Sequence, residues 1–215
     1  MVTQRTAQFK QFIYWPLAIP SVLVYLFMFG ANKRKLKMDI ARFWTQLKGH
    51  SPKSFLYSFY YLVCGIREFR NVFYMRVGYA SLLFQYFLPP MVELNFATKS
   101  RRIGGGVYVQ HGYTAVVDAE SIGENLWINQ NITIGHGGKG HPTIGHNVRI
   151  GSGALVIGAI KIGDNVNIGG NAMVVNDVPS NTTVCSPKAV VVRHHDGPTA
   201  NALLAKRAYE KINSK

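Results

Sequence analysis

Two histidines in glycine-rich surroundings are the residues of this chain best suited to chemistry. His111 stands in segment 110–114, and His141 closes a glycine-rich stretch, 136–142, that also contains a lysine. Imidazole is the side chain best suited to take a proton from an alcohol near neutral pH. A glycine-rich loop with a lysine can bring backbone N–H groups to a phosphate or a developing oxyanion. The two segments predict general-base group transfer to an alcohol.

The other histidines show no comparable pattern. We interpret His136, His146, His194 and His195 as solvent-facing residues. No two histidines have acidic partners at the spacing that metal ligands require, so we expect no metal site.

Both segments interrupt a six-residue repeat that spans residues 103–179. The spacing is six, except for one extra residue between Val109 and Val116 and four between Ile134 and Ile144. Such a repeat predicts a parallel β-helix in which each hexad forms one side of a coil. Twelve hexads at three per coil predict about four coils. The leading aliphatic positions are Ile103, Val109, Val116, Ile122, Ile128, Ile134, Ile144, Ile150, Val156, Ile162, Ile168 and Val174.

The periodicity divides the chain into three parts. Residues 1–90 have helical patterns, with expected breaks near Asn71 or Gly78 and a Pro89-Pro90 end. Residues 91–193 form the β-helix domain, and 194–215 a short C-terminal helix.

An uncharged segment in the first part, residues 12–30, is followed by a cluster of lysine and arginine over 33–37. Its prolines, Pro16 and Pro20, argue against one straight helix. We expect a monotopic membrane anchor with aromatic residues such as Tyr25 at the lipid interface. The alternative is a buried helix or a contact between chains.

The charge of the chain indicates its partners and its compartment. The formal net charge of +14 implies a polyanionic partner. The basic residues crowd the first half and no nucleic-acid-binding motif is present, so an anionic membrane surface is favoured over nucleic acid. The two distant cysteines, Cys64 and Cys185, indicate a reducing cytoplasm. The apolar segment and the basic cluster after it favour a position at the inner face of the cytoplasmic membrane.

The flat sides of a β-helix indicate an oligomer. Threefold symmetry is the natural closure for a triangular prism, so we expect a homotrimer. His111 and His141 are 30 residues apart, under two coils along the axis. A loop that reaches across the trimer interface would bring His141 of one chain beside His111 of its neighbour.

Four segments resemble the left-handed β-helix (hexapeptide-repeat) acyltransferases. Within them, the chain is similar to the serine O-acetyltransferases and to the colanic acid and capsule polysaccharide O-acetyltransferases. The resemblance implies a mainly β fold, a left-handed parallel β-helix with a helical N-terminal region, and acetyl-CoA as co-substrate. The segments are ELN (93–95), IGGGVYVQHGY (103–113), IGENLWINQNITIGHGGKGHPTIG (122–145) and VVNDVP (174–179).

The resemblance also implies roles for individual residues. His111 matches the general base, with Asn95 or Glu93 in the place of the carboxylate that orients it. His141 and Gln110 match residues that face the acceptor. The positions that match the coenzyme A site are Gly137, Gly138, Ser152, Gly170 and Lys188.

Two differences from the serine acetyltransferases predict the acceptor. Serine acetyltransferases have an acid before the catalytic histidine and an arginine before the loop histidine, whereas this chain has Gln110 and Gly140. Without these charges a zwitterion loses its electrostatic partners. We therefore expect the acceptor to be a sugar hydroxyl of a surface polysaccharide precursor. The alternatives are a serine O-acetyltransferase of cysteine biosynthesis and a non-catalytic β-helix scaffold at the membrane surface.

Overall fold

The computed structural model describes residues 16–190 together with Tyr14 and Glu210. The C-terminal helix predicted for 194–215 lies outside the described residues apart from Glu210, and the domain boundaries remain predictions. Four α-helices come first: α1 (Ile19–Phe27), α2 (Gly30–Lys48), α3 (Phe55–Gly65) and α4 (Arg67–Val77). Short 3-10 helices span Pro16–Ala18, Gly78–Leu83 and Ser100–Arg102.

Thirteen short strands follow in the described part of the chain. They are β1 (Leu94–Phe96), β2 (Tyr108–Val109), β3 (Ala115–Val117), β4 (Ser121–Ile122), β5 (Trp127–Ile128), β6 (Thr133–Gly135), β7 (Thr143–Ile144), β8 (Arg149–Ile150), β9 (Leu155–Ile157), β10 (Lys161–Ile162), β11 (Asn167–Ile168), β12 (Met173–Val174) and β13 (Thr183–Val184).

These strands wind into a prism with three parallel sheets. Sheet 1 has the order β1-β3-β6-β9-β12, sheet 2 β10-β7-β4, and sheet 3 β13-β11-β8-β5-β2. Bridges from Ile103 to Ile122 and from Ile162 to Val178 extend sheet 2 to five levels. The predicted fold class, a mainly β left-handed parallel β-helix with N-terminal helices, is confirmed, but it has about five coils instead of four. The extra coil begins at β1, before the first hexad.

The predicted hexad positions form the core, with one exception. Eleven of the twelve leading residues are buried, whereas Val116 is 39% exposed. The inward residues of β3 are Ala115 and Val117, and Val117 pairs with Ile134. The preceding turn therefore takes up two extra residues instead of one. It can do so because His111 and Thr114 adopt left-handed backbone angles, with φ of 55° and 48°.

An asparagine ladder holds the corner that leads from sheet 2 into sheet 3, which we call the asparagine corner. Asn125, Asn147, Asn165 and Asn181 occupy successive coils there with φ between 56° and 63°. Each side-chain amide donates to the next asparagine at 2.9–3.0 Å. Asparagine tolerates this left-handed conformation better than most residues. Next to it, a Cβ on Gly123 would lie 2.6 Å from the backbone carbonyl carbon of the next coil, so the coils stack only with glycine there.

A buried ion pair attaches the helices to the first coil. Arg76 of α4 contacts Asp39 of α2 at 2.8 Å, and both side chains are fully buried. Arg76 also donates to the carbonyls of Ile103 and Gly104, and Asp39 accepts from Val107 N–H at 2.8 Å. Two helices and the first turn of the asparagine corner are thereby joined in one network.

Helix α4 also sets the path into the first strand. Its Asn71 side chain accepts from Met91 N–H and donates to the Met91 and Leu94 carbonyls at 2.8–2.9 Å. A helix break predicted at Asn71 is therefore wrong. The break lies at Ile66, and the predicted one at Gly78 is present as the change to a 3-10 helix.

Helix α1 packs on α3 through one of its faces. The ring of Tyr25 is buried and stacks on Phe59 with 4.5 Å between centroids, so its expected place at a lipid interface is wrong. No helix in the described part of the chain combines the length and apolar composition that crossing a bilayer requires.

We predict that Arg76→Met lowers the free energy of unfolding by about 3–5 kcal/mol, because it leaves the Asp39 carboxylate buried without its partner. Burial already raises the pKa of Asp39, and Arg76 opposes that rise. The variant should therefore lose more stability at pH 8 than at pH 5, where the lone carboxyl can be protonated.

Urea unfolding of the full chain measures this effect. The control is Arg102→Met, which removes an exposed pair with Glu120 and should cost less than about 1 kcal/mol. Equal losses in the two variants would show that the buried pair does not hold the helices to the β-helix.

Candidate active site

The two predicted histidines lie at different corners of the prism. The turn that contains His111 leads from sheet 3 into sheet 1, and we call that edge the histidine corner. The loop that contains His141 leads from sheet 1 into sheet 2, and we call that edge the loop corner. Sheet 1 separates them.

His111 is exposed at the start of a strained turn. Its left-handed φ of 55° is uncommon for a residue with a side chain. The next residue, Gly112, is buried, and a Cβ there would lie 2.9 Å from Leu94 Cδ2 and 3.0 Å from Val109 Cγ1. A larger residue would have to displace these side chains, so glycine lets the turn pack closely against them while the imidazole of His111 is exposed. Strain of this kind, observed at a candidate base, supports a functional role for the turn.

The histidine corner continues through the lower coils as a column of small residues. Ser152 and Gly170 occupy equivalent turns, where Asn171 N–H donates to the Ser152 carbonyl at 2.8 Å. Between them and His111 lies Gln130, whose carbonyl accepts from Gly153 N–H at 3.0 Å. The structure therefore places two of the predicted coenzyme residues in line with His111.

Gln130 is a polar residue of this column that the sequence analysis missed. Its side-chain oxygen is buried and has no hydrogen-bond partner among the described residues. An acceptor left in this state costs about 1–3 kcal/mol. A ligand N–H that lies along the histidine corner would satisfy it. The sequence signal was weak, because Gln130 stands in a run of polar turn residues, Asn129 to Asn131.

The predicted partners of His111 lie near the same edge. The Glu93 carbonyl accepts from Ala115 N–H at 3.0 Å, which places Glu93 beside the end of the His111 turn. Asn95 is paired with Val116 on the outer side of β1 and lines a groove of about 770 Å³ with Tyr79 and Lys99. No hydrogen bond or ion pair joins either residue to His111 within the described chain, so their orienting role remains a prediction.

A second carboxylate reaches this corner from helix α4. Glu68 Cγ lies 3.4 Å from the position that a Cβ on Gly112 would take. Burial raises the pKa of Tyr108, and the negative charge of Glu68 adds to that rise, which places Glu68 beside β2 as well. The half-buried Glu68 makes no hydrogen bond or ion pair with any residue that the structure describes. It was missed because it is far from His111 in sequence.

The loop corner contains a histidine–carboxylate pair. His141 Nε2 lies 3.0 Å from Asp118 Oδ2, and both side chains are about one-third exposed. The His136 ring meets the His141 ring edge-on at 5.1 Å. Asp118 was missed because its own turn shows no glycine-rich pattern. Within the described residues, no cluster of three or more histidine, cysteine or acidic side chains is arranged to hold a metal.

The tip of the loop is a tight backbone turn. Gly137 and Gly140 exchange two backbone hydrogen bonds of 3.0 and 2.7 Å, which leaves Gly138 and Lys139 exposed at the tip. Lys188 is exposed past the end of β13 and has no hydrogen bond or ion pair with a described residue.

The predicted site residues therefore fall into two groups within one chain. Strands rise about 3.3 Å per residue, so the four steps from Thr114 to Asp118 separate the two corners by roughly 13 Å. His111, Gln110, Ser152 and Gly170 are on one side of sheet 1, and His141, Gly137 and Gly138 are on the other. Within one chain the two groups therefore do not meet.

Comparison with known proteins confirms the resemblance to the hexapeptide-repeat acyltransferases. Residues 141–176 match the family model described as bacterial transferase hexapeptide (six repeats). The chain is similar to the serine acetyltransferase of Synechocystis sp. (48% identity over 107 residues, 47% of this chain and 43% of that protein). It is also similar to that of Synechococcus elongatus (35% over 128 residues, 53% and 52%). Among solved structures, a serine acetyltransferase in complex with CoA aligns with a TM-score of 0.56 at 21% identity, covering 73% of this chain and 67% of that one.

These similarities correct the predicted acceptor. The chain spans about half the length of the curated relatives it matches, and those relatives are named serine acetyltransferases. The expectation of a polysaccharide acceptor, which rested on the neutral Gln110 and Gly140, is wrong on this evidence. The structural similarity, at 21% identity, supports the left-handed β-helix fold alone.

Proposed function

We propose that this protein is a serine O-acetyltransferase that transfers the acetyl group of acetyl-CoA to the hydroxyl of L-serine. The observation that carries the proposal is the 48% identity to the Synechocystis serine acetyltransferase over 107 residues. The outward-facing His111 in a strained turn and the paired His141 are the side chains in this region that suit the chemistry.

In the proposed reaction His111 acts as general base. Its neutral imidazole takes the proton of the serine hydroxyl as the oxygen attacks the thioester carbonyl carbon. The C–O bond forms first, and the tetrahedral intermediate then expels coenzyme A as its C–S bond breaks. The imidazolium returns the proton to the thiolate, so the products are O-acetylserine and the free thiol. The Asp118 carboxylate orients His141, which contacts the acceptor from the other side.

In this proposal, the ammonium and carboxylate groups of serine are recognised by charged residues at positions other than 110 and 140. Glu68, beside Gly112, would face the ammonium group in place of an acid at Gln110. Lys139, exposed at the loop tip, would face the carboxylate in place of an arginine at Gly140. Both groups are free to bind because neither forms an ion pair with a described residue.

Acetyl-CoA would lie along the histidine corner. The small residues Ser152 and Gly170 leave room for the pantetheine arm, and the buried Gln130 oxygen can accept from one of its amide N–H groups. Gly137 and Gly138 of a neighbouring chain would line the opposite wall, and Lys188 would face the nucleotide phosphates.

The proposed assembly is a homotrimer with sites between chains. The outer face of sheet 1, between the two corners, carries exposed apolar side chains: Val116 at 39%, Met173 at 70% and Val175 at 51%. Such a face favours association. Packing it against a second copy would bring the loop corner of one chain to the histidine corner of the next.

We predict that the purified protein releases free thiol when acetyl-CoA and L-serine are supplied together. His111→Ala should lower kcat by about 100-fold or more, because general-base assistance is lost. The control His146→Ala removes an exposed histidine of the asparagine corner and should retain activity. Thiol release that does not depend on L-serine, or a His111→Ala variant of normal activity, would contradict the proposal.

We predict that inactive His111→Ala and His141→Ala chains complement each other. Unfolding and refolding them together at equal amounts should restore about one quarter of the wild-type activity, because a quarter of the interfaces combine both intact histidines. Separately refolded samples mixed afterwards serve as the control. No recovery from co-refolded trimers would mean that one chain supplies both histidines.

We predict that Glu68→Gln raises the KM for serine by about tenfold or more, with little change in kcat or in the KM for acetyl-CoA, because a charged hydrogen bond to the ammonium is lost. Glu124→Gln, an exposed carboxylate elsewhere, is the matched control. A fall in kcat at unchanged KM would instead assign Glu68 to the orientation of His111.

A further inference from the structure

The helical region carries an extended exposed apolar surface. One part lies on α1 and the residues after it, where Leu26, Phe27 and Phe29 are 52%, 77% and 88% exposed. The other part lies on and after the 3-10 helix Gly78–Leu83, where Tyr79 is 93% exposed. We call the two parts together the apolar surface. Its members are Ile19, Leu23, Leu26, Phe27, Phe29, Tyr79, Leu82, Leu83 and Tyr86.

The two parts lie at the same end of the helical region. Asn32, three residues after Phe29, donates to the carbonyl of Arg76 at 3.1 Å, and Arg76 is two residues before the start of the 3-10 helix. Asn32 also lines one groove together with Tyr79 and Leu82. The C-terminal end of α1 is therefore next to the 3-10 helix.

Basic side chains border this surface. Residues 16–92 contain ten lysines and arginines but two acidic residues, and one of these, Asp39, is neutralised by Arg76. Lys33 stands 3.6 Å above the Tyr25 ring, and Arg34 and Lys37 are exposed in the next turn. Lys35 donates to the Ser100 and Arg101 carbonyls, which brings the exposed basic stretch 99–102 to the same border.

An anionic lipid surface matches this combination better than a second copy does. Soluble proteins rarely leave a large group of apolar side chains exposed without a binding partner. A second copy packed here by a twofold axis would place its own basic border against this one, and the two positive borders would repel. Anionic headgroups would instead attract the lysines and arginines while the apolar side chains enter the acyl boundary.

We propose that the apolar surface and its basic border bind an anionic membrane surface without crossing it. Helix α1 has nine residues and a length of roughly 14 Å, short of the ~30 Å hydrocarbon core. Its other face is occupied, since Ser21 and Tyr25 are buried against the protein. The helix therefore lies in the plane of the interface. This interaction is independent of the proposed acetyltransferase activity.

Vesicle flotation of the full-length protein tests the proposal. The protein should float with phosphatidylcholine vesicles that contain phosphatidylglycerol, and stay unbound with phosphatidylcholine alone. Raising the salt from about 0.1 M to about 1 M should reduce binding, because the Debye length falls from ~10 Å to ~3 Å. Failure to bind anionic vesicles, or equal binding to both kinds, would overturn the proposal.

Two variants separate the apolar and the charged contributions. Phe27→Asn with Phe29→Asn should weaken binding at least about tenfold, and so should Arg34→Glu with Lys37→Glu. All four side chains are outside the core, so the melting temperature should be retained. The matched control is Leu47→Asn with Lys53→Glu. It changes an exposed apolar residue near the C-terminal end of α2 and an exposed basic residue in the segment that follows, and it should bind normally.

Sedimentation velocity on the same variants tests whether a second copy of this chain, instead of lipid, covers the apolar surface. If the phenylalanine variant forms a smaller oligomer while its vesicle binding is unchanged, the surface is an interface between copies of this chain, and the proposal is wrong. Unchanged mass together with lost flotation supports the lipid surface.

Discussion

The buried pair between Asp39 and Arg76 is the interaction on which the arrangement of this molecule depends. A buried carboxylate and a buried guanidinium lose their hydration. They are tolerated here because the two charges pair with each other and because both groups also form hydrogen bonds with backbone groups of residues 103–107. Those partners belong to two helices and to the first coil, so the pair fixes the helical region against the β-helix in one orientation. This orientation has a consequence for the site. Helix α4, held at Arg76 near its C-terminal end, brings Glu68 of its first turn to Gly112 beside the candidate base. The Asp39–Arg76 pair at the asparagine corner thus helps to place the carboxylate of Glu68 at the histidine corner.

The coil geometry imposes a second constraint, because it separates what the chemistry needs to combine. Each coil passes the histidine corner, crosses sheet 1 and then passes the loop corner. His111 and the paired His141 and Asp118 are therefore on opposite edges of one sheet, with a separation of roughly 13 Å. In the proposed trimer, the exposed apolar side chains on the outer face of that sheet would bring two chains together, so that association and the assembly of the site would be the same event.

The sequence predicted what is periodic and failed where distant segments meet. Ile128 and Ile150 could be assigned to the core because the hexad repeats their environment in every coil. Val116 was misassigned because the left-handed turn at His111 and Thr114 takes up two residues, which spacing alone does not reveal. The His141–Asp118 pair joins adjacent coils across 23 residues, and Glu68 reaches Gly112 from a helix that precedes the repeat. Neither contact leaves a local signal. The predicted sugar acceptor rested on the residues adjacent to each histidine, and it could not take account of a carboxylate such as Glu68 that approaches from a distant segment.

The geometry of α4 relates the proposed lipid-binding surface of the helical region to the candidate site. Glu68 lies in the first turn of this helix, and the 3-10 helix of the apolar surface follows its last residue, Val77. Eleven residues of α-helix span roughly 16 Å, so the two features are at opposite ends of one rigid element. A protein bound to lipid through Tyr79 and the end of α1 would hold Glu68, at the other end of α4, roughly one helix length from the headgroups. Small water-soluble substrates would then approach Glu68 and His111 from the aqueous side, whereas Asn95, which lines a groove with Tyr79, would lie nearer to the lipid.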